Sequence, residues 1–195
     1  PQGKSQGQDL MPNLQSTPLP GFSKRPAALT IAGSDPSGGA GIQADLKTFH
    51  QFGVYGEAAI TLLTVQNTTN VSRVQVMSPG MVADQIRAVV ADIPPAAAKT
   101  GALGSAEMIA VIAAEAAKFR FPLVVDPVMI SKHGAPLLPP AAADSLRRLL
   151  LPVCDLVTPN LYEAAELTGA EIDDVEAMKE AAARIADMGP KAVLL

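Results

Sequence analysis

The chain has 195 residues, of which 48% are hydrophobic and 17% charged, a composition that supports one globular domain and excludes a disordered chain. Its formal charge of −4 offers no basic surface to a nucleic-acid backbone, and its single cysteine excludes an internal disulfide and a cysteine-rich zinc site. No apolar run is long enough to span a membrane, so we expect a cytoplasmic protein without nucleic-acid or membrane partners.

The first 26 residues differ in composition from the rest. They are rich in Pro, Gly, Gln and Ser without periodicity, which predicts a flexible leader or a cloning remnant outside the fold. We expect residues 27–195 to form one α/β domain.

Apolar runs and helical periodicity alternate from residue 27 onward. Strands are predicted at 27–32, 60–65, 71–76, 96–100, 123–126, 156–158 and from 191. Helices are predicted at 41–52, from 78–79 with Ser78 as the N-cap, at 105–118, at 140–150, from 160 and from 173. This alternation predicts a doubly wound, mainly parallel sheet with helices on both faces. Ligand sites in such sheets lie beyond the carboxyl ends of the strands.

The sequence stops inside the last apolar strand, at Leu195. A parallel strand normally leads into another crossover, so we expect the domain to be truncated at its C-terminal end. The alternative is that this strand ends the sheet naturally.

Residues 33–41 form a glycine-rich loop between the first strand and the first helix, where glycines let backbone N–H groups approach a ligand. Gly39, Gly41 and Ala44 satisfy the loose dinucleotide fingerprint, but Glu57 comes too early to serve as its ribose-binding acid. The loop therefore predicts either a ligand site or a structural tight turn.

Several polar residues are candidates for chemistry, each with a structural alternative. Asp45 lies one turn inside the first helix, and composition alone favours a solvent-facing position. Gln66 and Asn67 end a strand, where an amide either enters a cleft or starts a turn. Asp126 ends another strand and either holds magnesium-bound water or caps the next turn.

Asn160 and Glu163 have the spacing of a capping box, which explains both residues without a ligand, although together they could also orient magnesium or phosphate. His50 and His133 are isolated, so hydrolase and zinc chemistry have little support.

Six segments together resemble the hydroxymethylpyrimidine and phosphomethylpyrimidine kinases of thiamine biosynthesis, which belong to the ribokinase-like superfamily. The resemblance covers residues 27–195. The segments are Ala28–Phe49, Gln66–Thr69, Lys99–Gly104, Val125–Met129, Gly134–Leu138 and Thr158–Ala164.

The resemblance implies a pyrimidine site formed by Gly33, Asp45 and Gln66, with Ala102 as its floor and Val128 as an apolar wall. An amide such as Gln66 suits an aminopyrimidine because it offers a donor and an acceptor in one plane. Family members usually have Met at the position of Ala102, so we expect a roomier or differently shaped pocket.

The resemblance also implies ATP and magnesium as cofactors and a homodimer as the assembly. It places Asn160 near the nucleotide and Asp126 and Glu163 near the magnesium ion. Carboxylates at such positions hold hydrated magnesium.

The implied function is ATP-dependent phosphorylation of hydroxymethylpyrimidine and of its monophosphate. The family's anion-hole loop and catalytic base are expected beyond Leu195, so we expect the 195-residue chain alone to be inactive. The alternatives are a pyridoxal kinase of the same superfamily, a nucleotide-dependent oxidoreductase and a non-catalytic pyrimidine-binding module. Asp45 and Gln66 favour the pyrimidine.

Overall fold

The computed structural model describes residues 25–130 and 137–195. Residues 1–24 of the predicted leader lie outside the described residues, as do His133 and the motif residues Gly134, Ala135 and Pro136. Among the described residues, no helix is both long enough and apolar enough to cross a membrane.

The strands form one seven-stranded sheet in the order β3-β2-β1-β4-β5-β6-β7. Every neighbouring pair is parallel except β2 and β3, which are antiparallel. The predicted sheet type is therefore confirmed. The strands are β1 (Ala27–Ser34), β2 (Tyr55–Gln66), β3 (Val71–Val76), β4 (Ala97–Thr100), β5 (Leu123–Val125), β6 (Leu156–Val157) and β7 (Ala192–Val193).

The helices occupy most of the predicted positions. They are α1 (Gly41–Gln51), α2 (Pro79–Asp92), α3 (Ala106–Ala116), α4 (Pro140–Ser145), α5 (Leu161–Thr168) and α6 (Val175–Ala186). A π-helical turn, Leu146–Leu150, and a 3-10 turn, Leu151–Val153, continue α4.

Two local predictions are wrong. Strand β2 begins at Tyr55, before the apolar run at 60–65, because its first half is a half-buried strand with alternating burial. The helix predicted at 140–150 is α-helical only to Ser145. By contrast, the start predicted for α2 is confirmed: Ser78 is its N-cap residue and Pro79 lies in the first turn, although the side chain of Ser78 makes no capping hydrogen bond.

Successive residues of β1 point to opposite faces of the sheet, and each face carries helices. Leu29 and Ile31 belong to the buried core cluster that also contains Ile86 of α2 and Met108 of α3. Thr30, between them, donates a hydrogen bond to Asp45 of α1 on the other face. The loop into α1 follows the carboxyl end of β1, so it lies at the edge of the sheet where a ligand site is expected.

Candidate active site

A cavity of about 280 Å³ opens at the carboxyl ends of β1, β2, β4 and β5. All five residues predicted to bind substrate line it, and so does one of the predicted magnesium ligands. These residues are Gly33, Asp45, Gln66, Ala102, Val128 and Asp126. Asn160 and Glu163 do not line the cavity.

The glycine-rich loop wraps around its own carboxylate. The Oδ1 atom of Asp35 accepts hydrogen bonds from the backbone N–H of Ser37 at 2.8 Å and from its hydroxyl at 2.6 Å, and Oδ2 accepts from the N–H of Gly39 at 3.2 Å. Burial raises the pKa of Asp35, but hydrogen bonds from Ser37, Gly39 and Ala40 outweigh it and leave the pKa lowered. These loop amides are thus already occupied by a carboxylate.

Helix α1 holds the loop from outside. The Oε1 atom of Gln43 accepts from the N–H of Asp35 at 2.8 Å, and its Nε2 donates to the hydroxyl of Ser34 at 2.7 Å. Gly41 has a φ of +57°, and a Cβ there would collide with the backbone carbonyl oxygen of Gly33. The glycine at 41 is therefore required by the close approach of two backbone segments.

Asp45 faces the cavity, so the solvent-facing position favoured by composition is wrong. Its Oδ2 accepts from the hydroxyl of Thr30 at 2.6 Å, and the Nζ of Lys99 donates to Oδ1 at 3.0 Å and to Oδ2 at 3.1 Å. The side chain of Asp45 is 17% exposed and that of Lys99 is 24% exposed. Such a partly desolvated ion pair interacts more strongly than one on an open surface.

Lys99 lines the same cavity, although sequence reasoning did not select it as a site residue. A lysine inside a short central strand is the signal that could have found it, because lysine is rarely buried without a partner. Nearby, Gly101 lets β4 pass close to β1, since a Cβ there would lie only 2.9 Å from the Cβ of Ala32.

Asp126 follows β5, and its Oδ2 lies 3.9 Å from the Nζ of Lys99, beyond hydrogen-bond distance. Burial raises the pKa of Asp126. The charge of Lys99 opposes this shift and that of Asp45 adds to it, so the pKa remains above its ordinary value of 3.8. The charge of Lys99 therefore offsets only part of the effect of burial on the pKa of Asp126.

The capping box predicted for α5 is present. The Oδ1 atom of Asn160 accepts from the N–H of Glu163 at 2.9 Å, and the Oε2 atom of Glu163 accepts from the N–H of Asn160 at 2.9 Å. Burial raises the pKa of Glu163, and the charge of Asp126 raises it further. Both side chains are thus engaged in starting the helix, and Glu163 also lies close enough to Asp126 to sense its charge.

The two amides at the end of β2, Gln66 and Asn67, lie in different surroundings. Asn67 builds the turn between β2 and β3, where its Oδ1 accepts from the N–H groups of Thr69 and Asn70 at 2.9 Å. Gln66 lines the cavity. Of the two alternatives predicted for this strand end, the cleft therefore applies to Gln66 and the turn to Asn67. His50 is exposed at the end of α1.

The sequence of the described site matches a known family. The phosphomethylpyrimidine kinase family matches residues 35–195. The chain belongs to this family. It is 51% identical over 170 residues to the hydroxymethylpyrimidine/phosphomethylpyrimidine kinase of Synechococcus elongatus, an alignment that covers 87% of this chain and 65% of that relative. The chain thus spans about two thirds of the length of this relative.

Solved structures show the same fold. The crystal structure of phosphomethylpyrimidine kinase from Clostridium difficile 630 superposes with a TM-score of 0.81 at 48% identity, covering 87% of this chain and 74% of that one. The pyridoxal kinase of Staphylococcus aureus in complex with AMP-PCP and pyridoxal superposes with a TM-score of 0.78 at 36% identity, covering 88% of this chain and 62% of that one. The predicted ribokinase-like architecture is therefore confirmed.

Proposed function

We propose that this chain forms the pyrimidine-binding part of an ATP-dependent kinase that phosphorylates hydroxymethylpyrimidine and its monophosphate. The observation that carries the proposal is the arrangement of Asp45, Gln66 and Val128 around one cavity at the carboxyl ends of the strands. Family membership supports the reaction class.

The chemistry of the cavity suits an aminopyrimidine. The carboxylate of Asp45 accepts a hydrogen bond from an exocyclic amino group, and the amide of Gln66 pairs with a ring nitrogen and its neighbour. Leu62, Val128 and Ile130 provide apolar surface for the ring faces. A planar heterocycle with one amino group satisfies both kinds of lining.

Magnesium fits the donor chemistry beside the cavity. Asp126 and Glu163 are neighbouring carboxylates whose raised pKa values reflect burial and, for each, the charge of another nearby carboxylate, and oxygen donors of this kind hold hydrated magnesium. A bound magnesium ion would neutralise charge on the phosphates of ATP. We assign Asp126 and Glu163 to this ion and Asn160 to the nucleotide side of the site.

The 195 residues alone are proposed to bind pyrimidine without turning it over. The cavity lining carries the binding groups, whereas phosphoryl transfer additionally needs a base for the attacking hydroxyl and donors for the transferred phosphoryl group. In the complete protein we propose a cytoplasmic homodimer as the working form.

Calorimetric titration of the purified chain with hydroxymethylpyrimidine, with and without MgATP, tests the proposal. We expect saturable binding in both conditions, loss of most affinity in Gln66→Leu, and no ADP formation by the chain. Rapid ADP formation would overturn the proposed inactivity, and absence of pyrimidine binding would overturn the proposed substrate.

Pyridoxal phosphorylation is the second candidate, since a pyridoxal kinase superposes on the described residues. Titration with pyridoxal under the same conditions separates the two. Tighter binding of pyridoxal than of hydroxymethylpyrimidine would favour this candidate.

The glycine-rich loop argues against the oxidoreductase alternative, because Asp35 already occupies N–H groups that a dinucleotide pyrophosphate would need. In addition, Glu57 pairs with Leu29 near the amino end of β1, at the opposite end from the loop. Fluorescence titration with NADH is expected to show no binding.

A further inference from the structure

Lys99 lines the cavity, and its ammonium lies between two of the cavity carboxylates, those of Asp45 and Asp126. Its Nζ donates to both oxygens of Asp45 at 3.0 and 3.1 Å, and it lies 3.9 Å from the Oδ2 atom of Asp126. The arrangement is asymmetric, since Asp45 is hydrogen-bonded and Asp126 is only attracted.

The hydrogen bonds on Asp45 leave one direction open. A carboxylate offers roughly four acceptor positions. The hydroxyl of Thr30 occupies one on Oδ2, and the ammonium of Lys99 occupies one on each oxygen. A position on Oδ1 remains for a donor in the cavity, so Lys99 and Thr30 together fix the direction in which Asp45 accepts from a ligand.

The backbone is built to accept this ammonium. Lys99 lies in β4, paired with Thr30 of β1 and Val124 of β5, so its Cα is held on both sides by the sheet. The side chain of Lys99 is 24% exposed, and its ammonium donates to both oxygens of Asp45. The sheet therefore holds the backbone of Lys99, and the two hydrogen bonds to Asp45 hold its ammonium.

We propose that Lys99 is a positioning residue for the substrate: its ammonium holds the carboxylate of Asp45 in the orientation that accepts a hydrogen bond from the amino group of the pyrimidine. This inference rests on the proposed function. It assigns to Lys99 a role in ligand selectivity, since a ligand without the amino group gains nothing from an oriented carboxylate.

The test is calorimetric titration of the chain with hydroxymethylpyrimidine and with its analogue lacking the amino group. For the unchanged chain we expect roughly 10- to 100-fold tighter binding of the amino compound, as one charge-assisted hydrogen bond provides. In Lys99→Met this preference should fall to less than about threefold, while the affinity for the analogue changes little. Lys99→Arg, which keeps the charge, should recover part of the preference.

Lys118→Met is the matched control. The Nζ of Lys118 donates to the two oxygens of Glu115 at 3.0 and 3.1 Å, the same distances as in the Lys99–Asp45 pair, but these residues do not line the cavity. Removing this ammonium should leave the preference for the amino compound unchanged. Thermal unfolding of each variant verifies that the protein is folded.

The outcomes separate the two proposals. If the unchanged chain binds neither ligand, the proposed function fails. If it prefers the amino compound and folded Lys99→Met keeps the full preference, Lys99 is not a positioning residue and only this inference fails. An equal loss of affinity for both ligands in Lys99→Met would also overturn it, because a general disturbance of the cavity explains that result.

Discussion

Two acidic regions of the molecule differ in the number of cations that contact their carboxylates. Glu115, which connects α3 to α2, is 5% exposed and contacts both Arg87 and Lys118. The hydrogen bond from Arg87 is the main reason that the pKa of Glu115 is lowered. At the cavity, one ammonium, that of Lys99, lies between Asp45 and Asp126, and burial leaves the pKa of Asp126 raised.

The difference shows what each region is suited for. The carboxylate of Glu115 has two cationic partners within the fold, and its lowered pKa means that its ionised form stabilises the folded state. Carboxylates that share one cation are left with unsatisfied acceptors and excess negative charge, which a ligand with donors or a cation can relieve. The incomplete pairing at the cavity is therefore the electrostatic reason to expect binding there.

The largest effect on stability is expected from Gly41→Ala, which tests the close approach of the backbone at Gly41 to that at Gly33. The new methyl group would collide with the carbonyl of Gly33 at a φ of +57°, so we expect a loss of more than about 3 kcal/mol in the free energy of unfolding. Gly53→Ala is the control: its φ is +71° but its surroundings are open, and it should cost only about 1 kcal/mol. Urea denaturation measures both, and equal losses would contradict the collision.

Asp45→Asn separates the two acidic regions by ligand affinity. The substitution removes the negative charge of the carboxylate that accepts hydrogen bonds from Thr30 and Lys99, and it should weaken hydroxymethylpyrimidine binding roughly 10- to 100-fold. Glu115→Gln should leave that affinity unchanged, because Glu115 does not line the cavity. Calorimetry on both variants provides the measurement, and similar losses of affinity would remove the distinction between the regions.

The free energy of unfolding should depend on pH with opposite signs for the carboxylates of the two regions, Glu115 and Asp126. The lowered pKa of Glu115 means that its contribution is present above its ordinary value of 4.5 and is lost as the pH falls through the folded-state pKa. The raised pKa of Asp126 means that the folded state loses stability as the pH rises from 3.8 through the folded-state pKa.

At pH 7, Glu115→Gln should therefore destabilise the protein by about 1–3 kcal/mol, whereas Asp126→Asn should leave it equally or more stable. Chemical denaturation across pH 3–8 measures both variants. Destabilisation by Asp126→Asn at neutral pH would show that this carboxylate is satisfied after all.

The smallest effect concerns Asn160. As an N-cap, Asn160→Ala should cost about 1 kcal/mol of stability, the same as Asp174→Ala, whose carboxylate caps α6 by accepting from the N–H of Ala177 at 2.7 Å. Thermal unfolding measures both losses. If Asn160 also contacts nucleotide, Asn160→Ala should weaken ATP binding and Asp174→Ala should not. Equal ATP affinities of the two variants would show that Asn160 acts only as an N-cap.

Most of the fold could be predicted because its signals are local. Apolar runs such as 27–32 and the capping box at Asn160 depend on residues next to one another in sequence, and both appear in the structure. The early start of β2 at Tyr55 was not predicted because Tyr55, Gly56 and Glu57 form no apolar run, and Glu57 is buried there despite its charge. A strand segment that contains a glycine and a buried charged side chain gives little local signal.

The site was less predictable because it is formed by distant segments. Residues that end strands could be selected as candidates, since strand ends meet at one edge of a parallel sheet. The direction of Asp45 could not, because its partners Thr30 and Lys99 lie 15 and 54 positions away in sequence. The hydrogen bonds from the loop N–H groups of Ser37 and Gly39 to the carboxylate of Asp35 could not be predicted either, because they depend on the folded path of the loop.

A crystal structure of the protein with hydroxymethylpyrimidine tests the central claim most directly. We predict that the ring lies in the cavity, with its amino group within hydrogen-bond distance of Asp45 and its ring nitrogen within reach of Gln66. A ring bound elsewhere, or one whose amino group points away from Asp45, would contradict the assignment of this cavity to the pyrimidine.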